Sequence, residues 1–362
     1  MLPQEAIAAF LSAIGSAPMN YTITPLGGGL INFSYKLIPL EGPSLLLQCI
    51  NTKVFKDPLA VQNNFIKIWE YNKTLEQPQF LADPIFLNTA NTLFIDSQER
   101  YWRAFQFIEG SAMKPLPEDA SQCASTATCF ATYTAAWKDF DTNLLQDVLP
   151  QFHHLSLRFH QFENSLKQAK KDRLDASREL MDALTSRKNY SLFFDWLVTQ
   201  EASFPKRVMH HDAKIANMLF EAPSGSVIGA VDFDTLMPGY FFSDLGDMIR
   251  SMACSADENN TQFDQLHILQ ENYQALLQGY LSVMGPVLTK EENSYIHHAG
   301  LIMYYMQSLR FLTDYLNGDV YYQVNYPDQN FDRAMNQFCL LKDLETFLQN
   351  AYNYDPMRLS EK

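Results

Sequence analysis

Strand-like and helix-like stretches do not alternate along this chain; they are segregated, and that restricts the fold more than any other feature. Residues 21 to 50 contain "YTITPL", "INFSYKLIPL" and "SLLLQCI", short β-branched and aromatic runs punctuated by Gly and Pro. One helix interrupts them, in "KDPLAVQNNFIKIWEYNKTL", where Asp57 is placed to cap and Pro58 to occupy the first turn. The spacing predicts Leu59, Phe65, Ile66 and Trp69 as its apolar face. Strands return in "PIFLNTANTLFIDSQERYWRAFQFIEG", and from about residue 118 the pattern is helical except around 208 to 240. A strand-rich segment followed by a larger helical one implies an α+β fold of two unlike lobes joined near 107 to 112, and excludes a doubly wound sheet. The expected division is 1–108 and 109–362.

The break in helical pattern carries the chemistry. "VMHHDAKIANMLF" (208 to 220) packs His210, His211, Asp212, Lys214 and Asn217 between apolar residues, and "AVDFDTLMPGYFFSDLGD" (230 to 247) supplies a second acidic cluster. Asp212 and Asn217, five apart, do not share a helix face, but an irregular loop lets them converge. "MLF" and "VIGAVDFD" read as two strands of a hairpin that brings Asn217 toward Asp232. Two oxygen ligands completed by phosphate oxygens and water suit Mg²⁺. Asp212 is then available to accept a proton from an attacking hydroxyl, and Lys214 to balance charge on a transferring phosphoryl group. Asp234 is open between a second metal and a substrate hydroxyl. His210 reads as structural and His211 as local packing or substrate-side polarity; Asp244 and Asp247 read as loop anchors. In "FHHLSLRFHQF" (152 to 162), His153 and His160 are seven apart, which does not suit the i, i+4 geometry of a helical metal pair.

Composition narrows the partners. The formal net charge is −14 over 362 residues, which disfavours nucleic acid. With 47% hydrophobic and 19% charged residues the chain folds into a globular core. Five scattered cysteines form no zinc pattern and read as thiols in a reducing cytoplasm. The N-terminal "MLPQEAIAAFLSAIGSAP" has no basic residue and places Ile7, Phe10, Leu11 and Ile14 at helical spacing, so it reads as an amphipathic helix and not a signal peptide. No apolar run approaches the length of a membrane span. A small-molecule partner is expected, with no nucleic acid, membrane or obligate protein partner.

The pattern His210-x-Asp212-x-x-x-x-Asn217, followed by a strand carrying Asp232, resembles the aminoglycoside phosphotransferase and choline kinase group of small-molecule kinases. Within it, "HHDAKIANMLF … VDFDTLMPGYFFSDLGDMIR" is similar to the bacterial N-acetylhexosamine 1-kinases, as are "GGGLINFSYKL", "LLLQCINTKVF" and "LRFLTDYLNGDVYYQVNYPDQN". The resemblance runs from about 27 to 340. It implies a two-lobed protein-kinase-like fold with a small antiparallel-sheet N-lobe for nucleotide and a larger, mainly helical C-lobe for catalysis and acceptor. It also implies ATP and Mg²⁺ as cofactors, a Gly-rich turn (Gly28, Gly29, Asn32) over the phosphates, and Gln48 where many kinases have a strand lysine. Phe107 and Ile108 fall at the junction that pairs with adenine, and Thr235, Arg310 and Tyr321 join Asp212 in contacting a sugar. The function expected is phosphorylation of a sugar hydroxyl, at the anomeric position of a hexose or N-acetylhexosamine. The alternatives are a kinase of an amino alcohol or aminoglycoside, or a catalytically silent kinase fold.

Overall fold

The computed structural model describes residues 4–27, 31–88 and 91–357. In chain order the regular elements are α1 (Gln4–Ala13), β1 (Tyr21–Leu26), β2 (Phe33–Pro39), β3 (Leu45–Cys49), α2 (Pro58–Lys73), β4 (Phe94–Ile95), β5 (Tyr101–Gln106), β6 (Ser111–Ala112), α3 (Ala120–Ala136), α4 (Leu155–Gln168), α5 (Lys171–Thr185), α6 (Asn189–Leu197), β7 (Arg207–Met209), β8 (Met218–Glu221), β9 (Val227–Ala230), β10 (Met237–Gly239), α7 (Phe242–Met252), α8 (Gln270–Met284), α9 (Lys290–Ser294), α10 (His298–Asn317) and α11 (Gln329–Tyr352). They fall into two compact units. The first is Met1–Met113 with Asp139–Pro150 and Met218–Met237; the second is Lys114–Lys138, Gln151–Asn217 and Pro238–Lys362.

The first unit is built on a five-stranded antiparallel sheet of order β1-β2-β3-β5-β4. One side chain in two along β2 and β3 points into the core, which is the strand period: Tyr35 and Leu37, then Leu45 and Leu47. These meet Ile7, Phe10 and Leu11 of α1, the face read from its helical spacing, together with Trp102 and Ala104 of β5. α2 starts as expected: Asp57 accepts from the backbone N–H of Ala60 at 2.9 Å, and Pro58 needs no N–H partner there.

The buried face of α2 differs from the predicted one. Val61, Phe65 and Ile68 are inside together with Gln62, Asn64 and Asn72, whereas Leu59 is half exposed. The amides turn the helix because each has buried backbone or hydroxyl groups to satisfy. Asn64 donates to the carbonyls of Gln146 and Leu236 and accepts from Gln146 N–H, Asn72 brackets Gln79, and Gln62 donates to Thr92. A second small sheet of order β6-β8-β9 completes this unit. In its β8–β9 hairpin Met218 lies opposite Ala230.

The second unit packs around α10, most of whose side chains from His298 to Leu316 are buried. Small residues set the helix spacing. Gly246 of α7 sits against Ala299 and Met303 of α10, and Gly279 of α8 sits against the Ala124 carbonyl of α3; a Cβ at either glycine would collide with backbone. A buried pair, Arg207 to Glu292, ties the start of β7 to the N-terminus of α9 through two bonds of 2.6 and 2.8 Å. β7 leads directly into the 210–217 loop.

Candidate active site

The loop from His210 to Asn217 is irregular because its polar side chains satisfy its own backbone. It closes with a single 3₁₀ turn, Ile215–Asn217, before β8. His211 has φ +63°, a left-handed conformation that a non-glycine residue holds only when its surroundings demand it. Here they do. Asp244, at the start of α7, accepts the N–H of His210 at 2.9 Å and of His211 at 2.7 Å. Ser243 Oγ joins His211 Nδ1 at 2.7 Å and His153 Nδ1 at 2.5 Å. His210 packs edge-on against Phe130 and accepts the N–H of Asp212 on Nδ1 at 3.3 Å. The two histidines and Asp244 are thus structural supports beneath Asp212.

That framework brings three predicted residues together. Lys214 Nζ donates to Asp212 Oδ2 at 2.8 Å, and Asn217 Nδ2 donates to the same oxygen and to the Asp212 carbonyl, both at 2.8 Å. Burial pushes the Asp212 carboxyl up. The Lys214 charge and hydrogen bond, with His210 and Asn217, outweigh it and hold the group below the usual carboxylate range. Asp212 is therefore held as an ionised carboxylate. Asp244 is the opposite case: burial raises it to about 7, offset in part by its two backbone donors and reinforced by Asp247 and Asp212. Asp247 accepts from Arg250 Nε at 3.0 Å, so each of the two acids is tied to neighbouring donors.

With Nδ2 committed to Asp212, the Asn217 amide keeps Oδ1, a neutral oxygen of the kind Mg²⁺ accepts. Asp232, in the other unit, has φ +62° beyond β9. Among the described residues, no group of three His, Cys, Asp or Glu side chains could hold a metal.

The residues expected to hold nucleotide divide into three groups. Gly28 and Gly29 lie outside the described residues. Asn32 and Gln48, both half-buried, belong to one polar network. Asn32 Nδ2 donates to Asp234 at 2.7 Å, and its Oδ1 accepts the N–H of Asn51. Gln48 Oε1 accepts from Arg103 at 3.1 and 3.2 Å, and its Nε2 donates to Ser34. Arg103 in turn pairs with Asp234, both side chains almost fully buried. Asp234 is thereby an ion-pair acid, the role its sequence context left open. Phe107 N–H donates to the Ser44 carbonyl, and Ile108 follows β5 with its carbonyl accepting Ser111 Oγ.

Of the residues expected to contact an acceptor, Thr235 is buried in the short turn after Asp232. Arg310 and Tyr321 share the wall of a cavity of about 420 Å³ in the second unit. Arg103 and Arg158, the latter in that same wall, were not anticipated. The available signal was an arginine inside an otherwise apolar run, "YWRAF" and "LSLRF", because a charge in a buried element requires a partner.

Residues 87–280 match the model of the phosphotransferase enzyme family (APH), more than half of the chain, and the chain belongs to that family. It is a phosphotransferase. The fold is shared with a microcompartment-associated aminopropanol kinase (TM-score 0.59, 13% identity, covering 99% of this chain and 98% of that one). It is shared as well with choline kinase from Cryptosporidium parvum Iowa II (TM-score 0.56, 14% identity, 96% of both chains). A third structure is an amicoumacin kinase in complex with AMP-PNP, Ca²⁺ and Ami (TM-score 0.56, 12% identity, 96% and 94%). At these identities the likeness is one of fold, the protein-kinase-like α+β arrangement. The comparisons carry the broader resemblance, to aminoglycoside phosphotransferases and choline kinases. They do not carry the narrower one to N-acetylhexosamine 1-kinases.

Proposed function

We propose that the protein is an ATP- and Mg²⁺-dependent kinase of a small-molecule hydroxyl. The observation that carries this is the Asp212 carboxylate, held ionised by Lys214 and oriented by Asn217 on a loop pinned from below. The acceptor oxygen forms a bond to the γ-phosphorus of ATP as the bond to the β–γ bridging oxygen breaks. The hydroxyl proton passes to Asp212, and ADP leaves. Lys214 balances the charge on the transferring group. Asn217 and Asp232 would provide oxygen ligands for Mg²⁺, whose charge would neutralise that of the phosphates. Residues 1–108, with Gly28, Gly29, Asn32, Gln48, Phe107 and Ile108, form the nucleotide lobe, and residues 109–362 carry catalysis and acceptor binding. Five free thiols fit a reducing, cytoplasmic location.

For the acceptor, the solved relatives' own names support an amino alcohol or aminoglycoside over a sugar. One observation favours a second reading, a hexose or N-acetylhexosamine. Arg310 and Tyr321 line one cavity, offering hydroxyl donors beside an aromatic face, and a guanidinium there opposes a cationic acceptor. ADP release over amino alcohols, aminoglycosides and hexoses, with the product read by phosphorus NMR, separates these. Asp212→Asn should lower turnover by about 10² or more, and Asp232→Ala should abolish it, both with unchanged circular dichroism. Full turnover in Asp212→Asn rejects the assigned base.

A further inference from the structure

The cavity beside Arg310 holds more positive charge than the contacts around it use. Its wall brings Arg158 of α4 and Arg310 of α10 together with Tyr321 and Tyr322. Among the described residues neither guanidinium is paired with a carboxylate. Arg158 donates to Gln161 Oε1 and to the carbonyls of Gln151 and Phe152, and its Nε is buried with no partner. Arg310 makes one hydrogen bond, from Nη1 to Gln307, and otherwise lies over the rings of Phe152 and Tyr322. Thr313, in the same wall, has a buried hydroxyl without a partner.

The acid in this wall, Asp314, does not neutralise them. Its Oδ1 accepts the N–H groups of Val320 and Tyr321, and its Oδ2 accepts that of Tyr322 and Asn330 Nδ2, at 2.8 to 3.0 Å. The oxygens of Asp314 are therefore occupied in shaping the loop that presents the two tyrosines, and it forms no ion pair with either guanidinium among the described residues. Burial, together with the Arg310 charge, pushes the Arg158 guanidinium down to about 10, as expected for two cations facing one space.

The cavity also connects to the catalytic loop. Arg310 lies over Phe152, Phe152 stacks on His153 at 4.4 Å, and His153 is joined through Ser243 to His211, the neighbour of Asp212.

We propose that this cavity is an oxyanion site in which Arg158 and Arg310 bind a carboxylate or phosphate group of the hydroxylated acceptor. Its description as an acceptor site rests on the kinase reading above; the oxyanion site itself does not. Paired guanidiniums bind planar or tetrahedral oxyanions in charge-assisted, often bidentate geometry, which a neutral hydroxyl or an ammonium group cannot match.

Calorimetry with four probes tests this: glucuronate, glucose 6-phosphate, glucose and glucosamine. Wild type should bind at least one acid ten-fold or more tighter than glucose, with affinity falling as NaCl rises. Whether glucuronate or the phosphate ester binds tighter identifies the oxyanion. Arg158→Gln and Arg310→Gln should each weaken that binding ten-fold or more, while Arg158→Lys and Arg310→Lys retain part of it. Thermal melts show that each variant is folded, and the lysine variants decide the matter if a glutamine variant is not. Glucose or glucosamine binding as tightly as the acids overturns the inference, as does acid binding that folded variants leave unmoved. If the acids bind as expected and no acceptor releases ADP from wild type, the kinase reading falls and the oxyanion site stands.

Discussion

Adding one methyl group at Gly239 should misplace the 210–217 loop, and the structure sets the size of the effect. A Cβ at Gly239 would lie 2.5 Å from His211 Nε2, closer still to its Cε1, and 3.1 Å from Met209 Cγ. Carbon contacts settle near 3.5 to 4.0 Å, so the imidazole must retreat by about 1 Å. It has no cheap way to do so. Its backbone is held in the left-handed region by Asp244, and its Nδ1 is bound to Ser243 at 2.7 Å. A retreat of about 1 Å breaks that bond, costing roughly 1 kcal/mol, on top of about 1 to 3 kcal/mol for overpacking. Gly239→Ala should therefore lose about 2 to 4 kcal/mol of stability in urea unfolding. Because Asp212 follows His211, turnover should fall by about 10² even where the protein is fully folded. His211→Ala removes the obstructing ring, so in that background the same glycine change should cost less than about 1 kcal/mol. Wild-type stability and turnover in Gly239→Ala, or an equal penalty in both backgrounds, would refute the steric account.

Two further outcomes concern stability. Glu292→Gln strands the buried Arg207 charge and should cost about 3 to 5 kcal/mol in urea unfolding, whereas replacing both partners by Met should cost much less. A near-neutral single change would show that the pair is solvated. His297, stacked against Tyr273 and hydrogen-bonded to its hydroxyl at 2.7 Å, is held by burial at about 4, below the ordinary 6.5. Between pH 6.5 and 4 the unfolded chain takes a proton that the folded chain refuses, so stability falls as pH falls, by roughly 3 kcal/mol over that window. Unfolding curves of His297→Gln should be flatter than wild type across it by that amount, and an unchanged slope would exclude this histidine as the source.

Much of the site's local order was legible in the sequence. The Asp57 cap, the apolar face of α1 and the β8–β9 hairpin all depend on residues within a turn or a strand of one another. So does the convergence of Asp212, Lys214 and Asn217, which span only six positions. In α2 the apolar spacing misses part of the buried face, because three of its eight buried residues are amides. Apolar periodicity does not register that Asn64 meets the carbonyls of Gln146 and Leu236.

By itself, the sequence determined the segregation of strand and helix, the polar 210–217 loop and the acidic charge, because each is set by neighbours along the chain and by composition. Only the tertiary structure decided that Arg103 answers Asp234, that Asp244 holds the backbone under Asp212, and that Arg158 and Arg310 line one cavity with no carboxylate paired to either among the described residues. These partners lie from 33 to 152 positions apart. A buried charge or amide needs a partner, but which residue provides it depends on where packing carries the chain, and no local pattern records that.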